Sequence, residues 1–299
     1  MYDTIVIGGG PAGMTAALYL RRANKTVLII EKDAIGGQIA ESPRLENFPS
    51  ISSISGMDFA NNLFEQIMNL GAELEIDEVK EVNKNNDSFT VITKYGRFES
   101  KTIVIATGCK HRKLGIEGED RLAGKGVSYC AVCDGAFYKD KDVVLIGDAN
   151  TACQYAISLA ETSKNVYLIT LFDKFFADQI LVDRIKNLPN VFVSHNMNSI
   201  SFNGENALES VTFRNTQTNE IKTIPCEGAF VAIGQIPCNE IFSKFVELEK
   251  GFIVTNEQME TSTPKIYAVG DCRVKNVRQV ITATNDGAIA ALSIINKLN

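Results

Sequence analysis

The chain carries the same strand–turn–helix–strand pattern twice, with the second copy shifted by 139 residues, from Asp3 to Asp142. The first copy reads Asp3-Thr-Ile-Val-Ile-Gly8-Gly-Gly10-Pro-Ala-Gly13, and the second reads Asp142-Val-Val-Leu-Ile-Gly147-Asp-Ala149-Asn-Thr-Ala152. In each copy a second short apolar run follows the predicted helix in the same register. A strand, a tight turn, a helix and a second strand form a βαβ unit. The repeat therefore predicts two domains, each built around a parallel sheet.

The first copy retains what a dinucleotide site requires. Gly8 permits the tight turn, Gly10 lets the backbone approach a diphosphate, and Gly13 allows close packing of helix on strand. The helix N-terminus supplies free amides for the phosphates. Glu31 follows at the distance expected of a residue that binds ribose hydroxyls. The pattern favours a nucleotide site over a glycine-rich turn without a ligand.

The second copy keeps the strand–turn–helix–strand pattern but lacks the residues that bind a dinucleotide. Ala149 adds a methyl group where backbone would meet phosphate, and Asp148 adds a negative charge beside it. Thr170 is neutral where the first copy has an acid, and no arginine follows it between Leu171 and Phe176. Arginine is the usual partner of a 2′-phosphate. A domain kept as scaffold and interface is favoured over a variant nicotinamide site.

A closely spaced cysteine pair precedes the second copy. Cys130 and Cys133 are separated by two residues, and Asp134 follows at once. This spacing lets two thiols close a reducible disulfide, and the aspartate can exchange protons with a leaving thiol. Half of a zinc site, or two buried structural cysteines, are the alternatives. A four-cysteine zinc site needs a second pair, which the scattered remaining cysteines do not supply, so no metal is predicted.

Composition narrows the class of protein. With 299 residues, 45% hydrophobic and 22% charged, the chain is predicted to form about two ordered domains. Its net charge of −6 argues against nucleic acid as a partner. It has no apolar run long enough to cross a membrane, and its first residues read as a strand rather than as a secretory signal. A cytoplasmic protein is expected, where a close cysteine pair is more often catalytic than structural.

Several further elements follow from residue patterns. Residues 58–70 have helical spacing and end at Gly71, and residues 279–298 read as a long final helix. Strand-like runs are predicted at about 73–82, 88–94 and 98–106. If the final segment returns to the first domain, the second domain is an insertion.

Taken together, the motifs of this chain resemble those of the low-molecular-weight flavoprotein thioredoxin reductases over nearly its whole length. The matching segments are Gly8–Gly13, Gly36–Gln38, Glu46–Pro49, Ala106–Gly108, Cys130–Gly135, Val231–Gly234, Gly270-Asp271 and Arg278-Gln279. The resemblance implies an α/β fold of two Rossmann-like, three-layer nucleotide-binding domains, the second inserted into the first. It implies an FAD domain at residues 1–111 and 241–299, an NAD(P)-type domain at 112–240 that carries the cysteines, and a homodimer.

The resemblance also assigns residues. Cys133 would face the flavin, Cys130 would attack thioredoxin, and Asp134 would be the acid–base residue. The implied FAD-binding residues are Gly8, Gly10, Pro11, Ala12, Gly13, Glu31, Lys32, Gly37, Gln38, Asn47, Val79, Ala106, Thr107, Gly108, Asp271, Arg278, Gln279 and Val280.

The departures from the family pattern all fall in the second copy. Family members that use NADPH carry a third-position glycine there and a later cluster of histidine and arginines, which this chain lacks at 149 and at 170–176. The resemblance is therefore closest to the pyridine-nucleotide-independent branch, whose known donor is ferredoxin. An NADPH- or NADH-dependent reductase with an unusual pocket and a redox sensor without turnover remain alternatives. The basic run Lys110–Lys113 is either a solvated linker or part of a docking surface for an electron carrier.

Overall fold

The chain divides into two compact units. The computed structural model describes residues 1–42 and 45–298, and at Glu41 it describes only the backbone. One unit, here called the outer unit, comprises Met1–Lys110 and Ile236–Asn299, and the other, the inserted unit, comprises His111–Gln235. The prediction that one domain is inserted into the other is thus confirmed.

Helices and strands alternate along most of the chain. Up to residue 111 the elements are β1 (Tyr2–Ile7), α1 (Pro11–Arg22), β2 (Val27–Glu31), α2 (Gly56–Asn69), β3 (Glu73–Ile76), β4 (Val79–Lys84), β5 (Phe89–Thr93), β6 (Arg97–Ile105) and β7 (Cys109–His111), with a 3-10 helix at Gly37–Glu41. The next elements are α3 (Glu119–Leu122), β8 (Val127–Ser128), α4 (Ala131–Asp134), β9 (Asp142–Ile146), α5 (Asn150–Ala160), β10 (Asn165–Ile169), α6 (Gln179–Lys186), β11 (Val191–Ser194), β12 (Met197–Asn203), β13 (Ser210–Asn215), β14 (Ile221–Pro225) and β15 (Gly228–Val231), with a 3-10 helix at Gly135–Tyr138. The last are β16 (Gln235–Pro237), β17 (Leu248–Glu249), β18 (Phe252–Ile253), β19 (Ile266–Ala268) and α7 (Val280–Leu298), with 3-10 helices at Glu240–Phe242 and Gly270–Cys272.

The outer unit is built on one mixed sheet in the order β3-β2-β1-β6-β5-β4, with β19 also paired to β6. Strands β3, β2, β1, β6 and β19 run parallel, whereas β4 and β5 add an antiparallel edge. Because successive side chains of a strand point to opposite faces, the apolar run of β1 supplies two cores. Val6 packs with Met14 and Ile294 from α1 and α7, while Ile5 packs on the other face with Phe89.

The inserted unit repeats this plan. Its parallel sheet has the order β11-β10-β9-β15-β8, so the first four strands correspond in place to β3-β2-β1-β6 of the outer unit. Val143 and Leu145 of β9 pack against α5 and α6, and Val144 and Ile146 face the three-stranded antiparallel sheet of β12, β13 and β14. The predicted duplication of two parallel-sheet domains is confirmed.

Two of the element predictions have different outcomes. The long final helix is confirmed as α7, but the single run expected at 73–82 is wrong, because two strands, β3 and β4, replace it. The chain turns at Asp77, whose buried carboxylate accepts hydrogen bonds from the backbone N–H of Glu78 at 2.7 Å and of Tyr95 at 2.9 Å. Across the described residues, no helix is both long and apolar enough to span a membrane.

Candidate functional site

The glycine turn between β1 and α1 is shaped by close packing at two positions and is open at a third. Gly8 has φ +114°, and a Cβ there would lie 2.3 Å from the carbonyl oxygen of Ala106. A Cβ at Gly13 would lie 2.1 Å from the carbonyl oxygen of Gly8. At Gly10 the nearest atom to such a Cβ is 3.9 Å away, so nothing within the unit requires glycine at this position. The absence of a side chain at Gly10 therefore points to a ligand that approaches the backbone.

Glu31, at the end of β2, is held against this turn. One carboxylate oxygen accepts a hydrogen bond from the N–H of Gly9 at 2.6 Å, and the other accepts one from the N–H of Asp33 at 3.0 Å. These bonds fix the carboxylate beside the turn, with lone pairs left over for ribose hydroxyls. Lys32 is exposed immediately after it.

Of the next predicted FAD-binding residues, Gly37 and Gln38 lie beside the glycine turn, whereas the side chain of Val79 points elsewhere. Gly36 donates its N–H to the carbonyl of Gly9 at 2.9 Å, which places Gly37 and Gln38 beside the turn. The Gln38 amide donates to the carbonyl of Cys109. Val79 is different: its side chain is buried in the core below β4, so only its backbone can meet a ligand.

The motif Gly270-Asp271 lies against the start of α1. Gly270 has φ +75°, and a Cβ there would lie 2.8 Å from the Cβ of Ala12. The next residue, Asp271, has a buried carboxylate oxygen, Oδ1, with no hydrogen-bond partner among the described residues. Burial raises the pKa of Asp271, while Lys275 and Arg278 act in the opposite direction. A buried oxygen without a partner is costly, and a ligand hydroxyl would satisfy it.

The remaining predicted residues lie in loops or at the first position of a helix. Thr107, just after β6, donates its hydroxyl to Asn239 at 3.0 Å, and Gly108 follows with φ +63°. Gln279 accepts a hydrogen bond from the amide of Asn47 at 3.1 Å. Pro11 is the first residue of α1, Val280 is the first of α7, and the Arg278 guanidinium lies 4.3 Å from the centroid of the Phe252 ring.

Asp286 of α7 positions the loop that holds Gly270 and Asp271, although it belongs to none of the sequence motifs. Its carboxylate is 2% exposed and accepts hydrogen bonds from the Gly270 N–H at 3.1 Å, from Arg273 at 2.9 and 3.1 Å, and from Lys275 at 2.8 Å. Burial alone would raise the pKa of Asp286, but the bonds from Arg273 and Lys275 hold it below its usual value. The signal in the sequence was an isolated acid within the otherwise apolar and neutral first part of α7.

The predicted cysteine pair is a disulfide in the inserted unit. Cys130 and Cys133 are bonded, with their Cα atoms 5.3 Å apart, at the start of α4. The N–H of Cys133 lies 3.2 Å from the sulfur of Cys130, so it can stabilise a thiolate there after reduction. The other five cysteines are free, and four of them are buried. Among the described residues no group of three or more His, Cys, Asp or Glu side chains is placed to bind a metal.

Asp134 follows Cys133 directly in sequence, and its side chain is partly buried. Its Oδ2 accepts a hydrogen bond from the hydroxyl of Ser128 at 2.6 Å, whereas its Oδ1 is buried and has no partner in the described part of the chain. Burial raises the pKa of Asp134, and the bond from Ser128 opposes that rise. A carboxyl group that retains its proton closer to neutral pH is suited to general acid catalysis. Ser128 belongs to none of the sequence motifs described above.

The second turn, between β9 and α5, keeps the packing of the first without its open face. A Cβ at Gly147 would lie 2.5 Å from the carbonyl of Ala232, as Gly8 approaches Ala106 in the first copy. The segment after β10, however, folds back onto the turn. The N–H of Phe176 donates to the carbonyl of Asp148 at 2.7 Å, and Ala149 forms a β-bridge with Phe176.

Thr170, which occupies the position of the ribose-binding acid, is itself fully engaged. It is completely buried, and its hydroxyl lies 2.7 Å from both the Phe172 carbonyl and Nδ1 of His195. No side chain in the segment 171–176 is an arginine. The position just after β10 therefore has no carboxylate that corresponds to Glu31, and the segment 171–176 has no guanidinium for a 2′-phosphate.

Comparisons with known proteins agree with this architecture. The pyridine nucleotide-disulphide oxidoreductase family profile matches residues 2–287. A thioredoxin reductase of Ureaplasma parvum is 40% identical over 98% of this chain and 95% of its own, and one of Treponema pallidum is 38% identical over 97% and 95%. The crystal structure of a thioredoxin reductase from Streptococcus pyogenes superposes with a TM-score of 0.96 at 37% identity, covering 100% of this chain and 98% of that one.

Proposed function

Because this chain belongs to the pyridine nucleotide-disulphide oxidoreductase family and, within it, to the low-molecular-weight thioredoxin reductases, we propose that it reduces thioredoxin through Cys130 and Cys133 with electrons from reduced ferredoxin. Its cofactor is FAD, as in the other flavoproteins of this family. The observation that carries the choice of donor is the second turn, where Phe176 covers the backbone and Thr170 is internally bonded.

The outer unit fits FAD. The open backbone at Gly10 and the N-terminus of α1 would receive the diphosphate, and Glu31 would receive the ribose hydroxyls. The unpartnered Oδ1 of Asp271 would accept a hydrogen bond from a further hydroxyl of the cofactor. When bound, FAD supplies the redox chemistry, because it can take electrons singly and pass them on in pairs. The protein supplies position and electrostatics.

The Gly10→Ala variant is expected to fold normally and to lose FAD. The added methyl group meets no atom of the protein within 3.9 Å, so the apoprotein should melt at the parent temperature. It would lie where a diphosphate must approach, so we expect FAD affinity to fall by about ten-fold or more. Titration of the apoprotein with FAD, followed by flavin fluorescence, measures this.

The Gly13→Ala variant is the contrasting control. Its methyl group would lie 2.1 Å from the Gly8 carbonyl, so this variant should lower the melting temperature of the apoprotein itself. If Gly10→Ala binds FAD as tightly as the parent, the diphosphate does not pass over this turn.

The thiol chemistry proceeds by two exchanges. In the reduced protein the Cys130 thiolate attacks the thioredoxin disulfide, a mixed disulfide forms, and the leaving sulfur of thioredoxin takes the proton of Asp134. Cys133 then gives its proton to the Asp134 carboxylate and attacks the sulfur of Cys130. The enzyme disulfide closes, and thioredoxin leaves reduced by one electron pair with one thiol protonated. Asp134 ends as it began.

The donor proposal predicts selective reduction of the bound flavin. Under anaerobic conditions, NADPH or NADH at sub-millimolar concentration should leave the oxidised flavin absorbance unchanged in a stopped-flow instrument, whereas reduced ferredoxin should bleach it. The Ala149→Gly variant, which removes only the methyl group, should stay unresponsive because Thr170 and the segment around Phe176 are unchanged. Rapid bleaching of the parent by either nicotinamide would overturn the choice of ferredoxin and leave thioredoxin reduction intact.

We propose that an acidic electron carrier docks through exposed basic residues of the inserted unit. They are Arg112, Lys113, Lys139 and Lys141. Lys113 is partly neutralised by Asp120, at 2.7 Å. Docking through charge implies that the bleaching rate with ferredoxin falls as salt rises, since the screening length drops from about 10 Å at 0.1 M to about 3 Å at 1 M.

We also propose that the protein is a homodimer through a helical face of the outer unit. Tyr19 of α1 and Ile281 of α7 line one shallow surface cavity, and they are 39% and 41% exposed. Leu292, three turns further along α7, is 51% exposed. Apolar side chains gathered on one exposed face are typical of a surface covered by another subunit.

A further inference from the structure

Ser128 connects the disulfide segment to Asp134. It ends β8, two residues before Cys130, and is buried. Its hydroxyl oxygen lies 2.6 Å from Oδ2 of Asp134 and 3.5 Å from the carbonyl oxygen of Cys130. The backbone N–H of Cys130 donates to the same hydroxyl oxygen at 3.1 Å.

These distances fix the direction of the hydrogen bonds. A serine hydroxyl has one hydrogen to donate, and the carboxylate is both the nearer and the stronger acceptor. The bonds therefore run from the Cys130 N–H to the Ser128 oxygen, and from the Ser128 hydroxyl to Oδ2 of Asp134. Each bond in such a chain polarises the next and strengthens it.

We infer that Ser128 is a positioning residue for thiol–disulfide exchange: its hydroxyl occupies Oδ2 of Asp134 and so leaves Oδ1 to carry the proton that is exchanged with sulfur. The inference rests on the proposed acid–base role of Asp134. A proton on Oδ2 would face the Ser128 hydroxyl, which would then have only the Cys130 carbonyl at 3.5 Å as its acceptor. A proton on Oδ1 keeps every bond of the chain, and Oδ1 has no other partner among the described residues.

Ser128 also stabilises the product of proton transfer. When Oδ1 gives its proton to a leaving sulfur, Asp134 becomes a partly buried carboxylate, and the bond from Ser128 is then charge-assisted. Titratable side chains around Asp134 include Cys130 and Cys133 once they are reduced, and Tyr138, Cys153 and Tyr155 on the adjoining 3-10 helix and α5. Burial raises the pKa of Tyr138 to about 12 and that of Cys153 to about 11, and it raises that of Tyr155 as well. All three therefore stay neutral near neutral pH, and the carboxyl group that the Ser128 hydroxyl contacts is that of Asp134.

The test compares Ser128→Ala with Ser128→Thr, which keeps a hydroxyl. Each protein is reduced chemically, mixed once with oxidised thioredoxin, and followed from pH 5 to pH 9. In the parent, exchange should slow at high pH as Asp134 loses its proton. This decline forms the alkaline limb of the plot of rate against pH. Removing a bond that favours the carboxylate should move this limb upward by about one pH unit in Ser128→Ala. Ser128→Thr should restore the parent position. If the alanine variant does not fold, Ser128→Val, which matches threonine in shape, replaces it.

Asp134→Asn separates failure of this inference from failure of the proposed function. If Asp134→Asn leaves the rate and the limb unchanged, Asp134 is not the acid–base residue and the proposed mechanism fails. If Asp134→Asn removes the limb while Ser128→Ala keeps it at the parent pH, Asp134 acts without help from Ser128 and the inference is overturned. A limb that moves in Ser128→Ala and returns in Ser128→Thr supports it, since a merely structural role would change the rate without moving the limb.

Discussion

Replacing Cys133 or Cys130 with serine is expected to abolish steady-state thioredoxin reduction. Each variant lacks the disulfide seen between these residues, so a dithionite titration should take up one electron pair fewer than in the parent. The matched control is Cys238→Ser, because Cys238 is a free and only partly buried cysteine. This variant should retain turnover and the full electron count.

The two serine variants should differ in how much mixed disulfide with thioredoxin they accumulate. Reduced Cys133→Ser keeps the attacking Cys130 thiol but lacks the sulfur that resolves the mixed disulfide, so a stable covalent adduct with thioredoxin should accumulate on a non-reducing gel. Cys130→Ser should form far less of it. An adduct that forms through Cys133 instead would reverse the two roles, and full turnover in either variant would exclude this pair as the redox centre. A protein that closes and opens its disulfide without reducing thioredoxin would be a sensor rather than a reductase.

Asp134→Asn is expected to slow thiol–disulfide exchange by roughly 10²–10⁴-fold, the usual contribution of a positioned proton donor. The amide keeps the size of the side chain but cannot transfer the proton. Because burial raises the pKa of Asp134, the parent carboxyl should remain protonated at a higher pH than an exposed aspartate. The parent rate should therefore fall as pH rises through that pKa, while the variant should be slow and without this dependence. Single-turnover reduction of thioredoxin by the prereduced proteins measures both effects.

Asp140→Asn provides the control for this substitution. Asp140 lies six residues further on, is exposed, and has φ +59°, a conformation that asparagine tolerates well. The same chemical change there should leave exchange at the parent rate. If Asp134→Asn exchanges as fast as Asp140→Asn, the proton comes from another group or from water.

Local chemistry explains why much of this protein could be predicted from its sequence. The glycine turn at Gly8–Gly13 and the strands around it follow from backbone sterics and apolar runs, which depend on neighbouring residues. The duplication could be recognised because β1 and β9 have the same pattern and the same place in their sheets. The spacing of Cys130 and Cys133 favoured a disulfide, since two intervening residues bring the sulfurs together, and the scattered remaining cysteines did not complete a zinc site.

Tertiary structure decided how the buried polar groups are satisfied, since a partner far away in sequence leaves no local pattern. From the sequence, Thr170 was notable only because the first copy has an acid at the corresponding position. In the structure, His195 lies against the Thr170 hydroxyl, and Phe176 packs over the second turn. Asp286 accepts a hydrogen bond from the Gly270 N–H because α7 packs against the loop that contains Gly270. Burial must be offset by hydrogen bonds, and only the packed chain determines which groups are buried together. The sequence alone thus determined the two sheets, the first nucleotide turn and the redox pair, whereas the fold decided that the second turn is covered and which oxygen of Asp134 is left free.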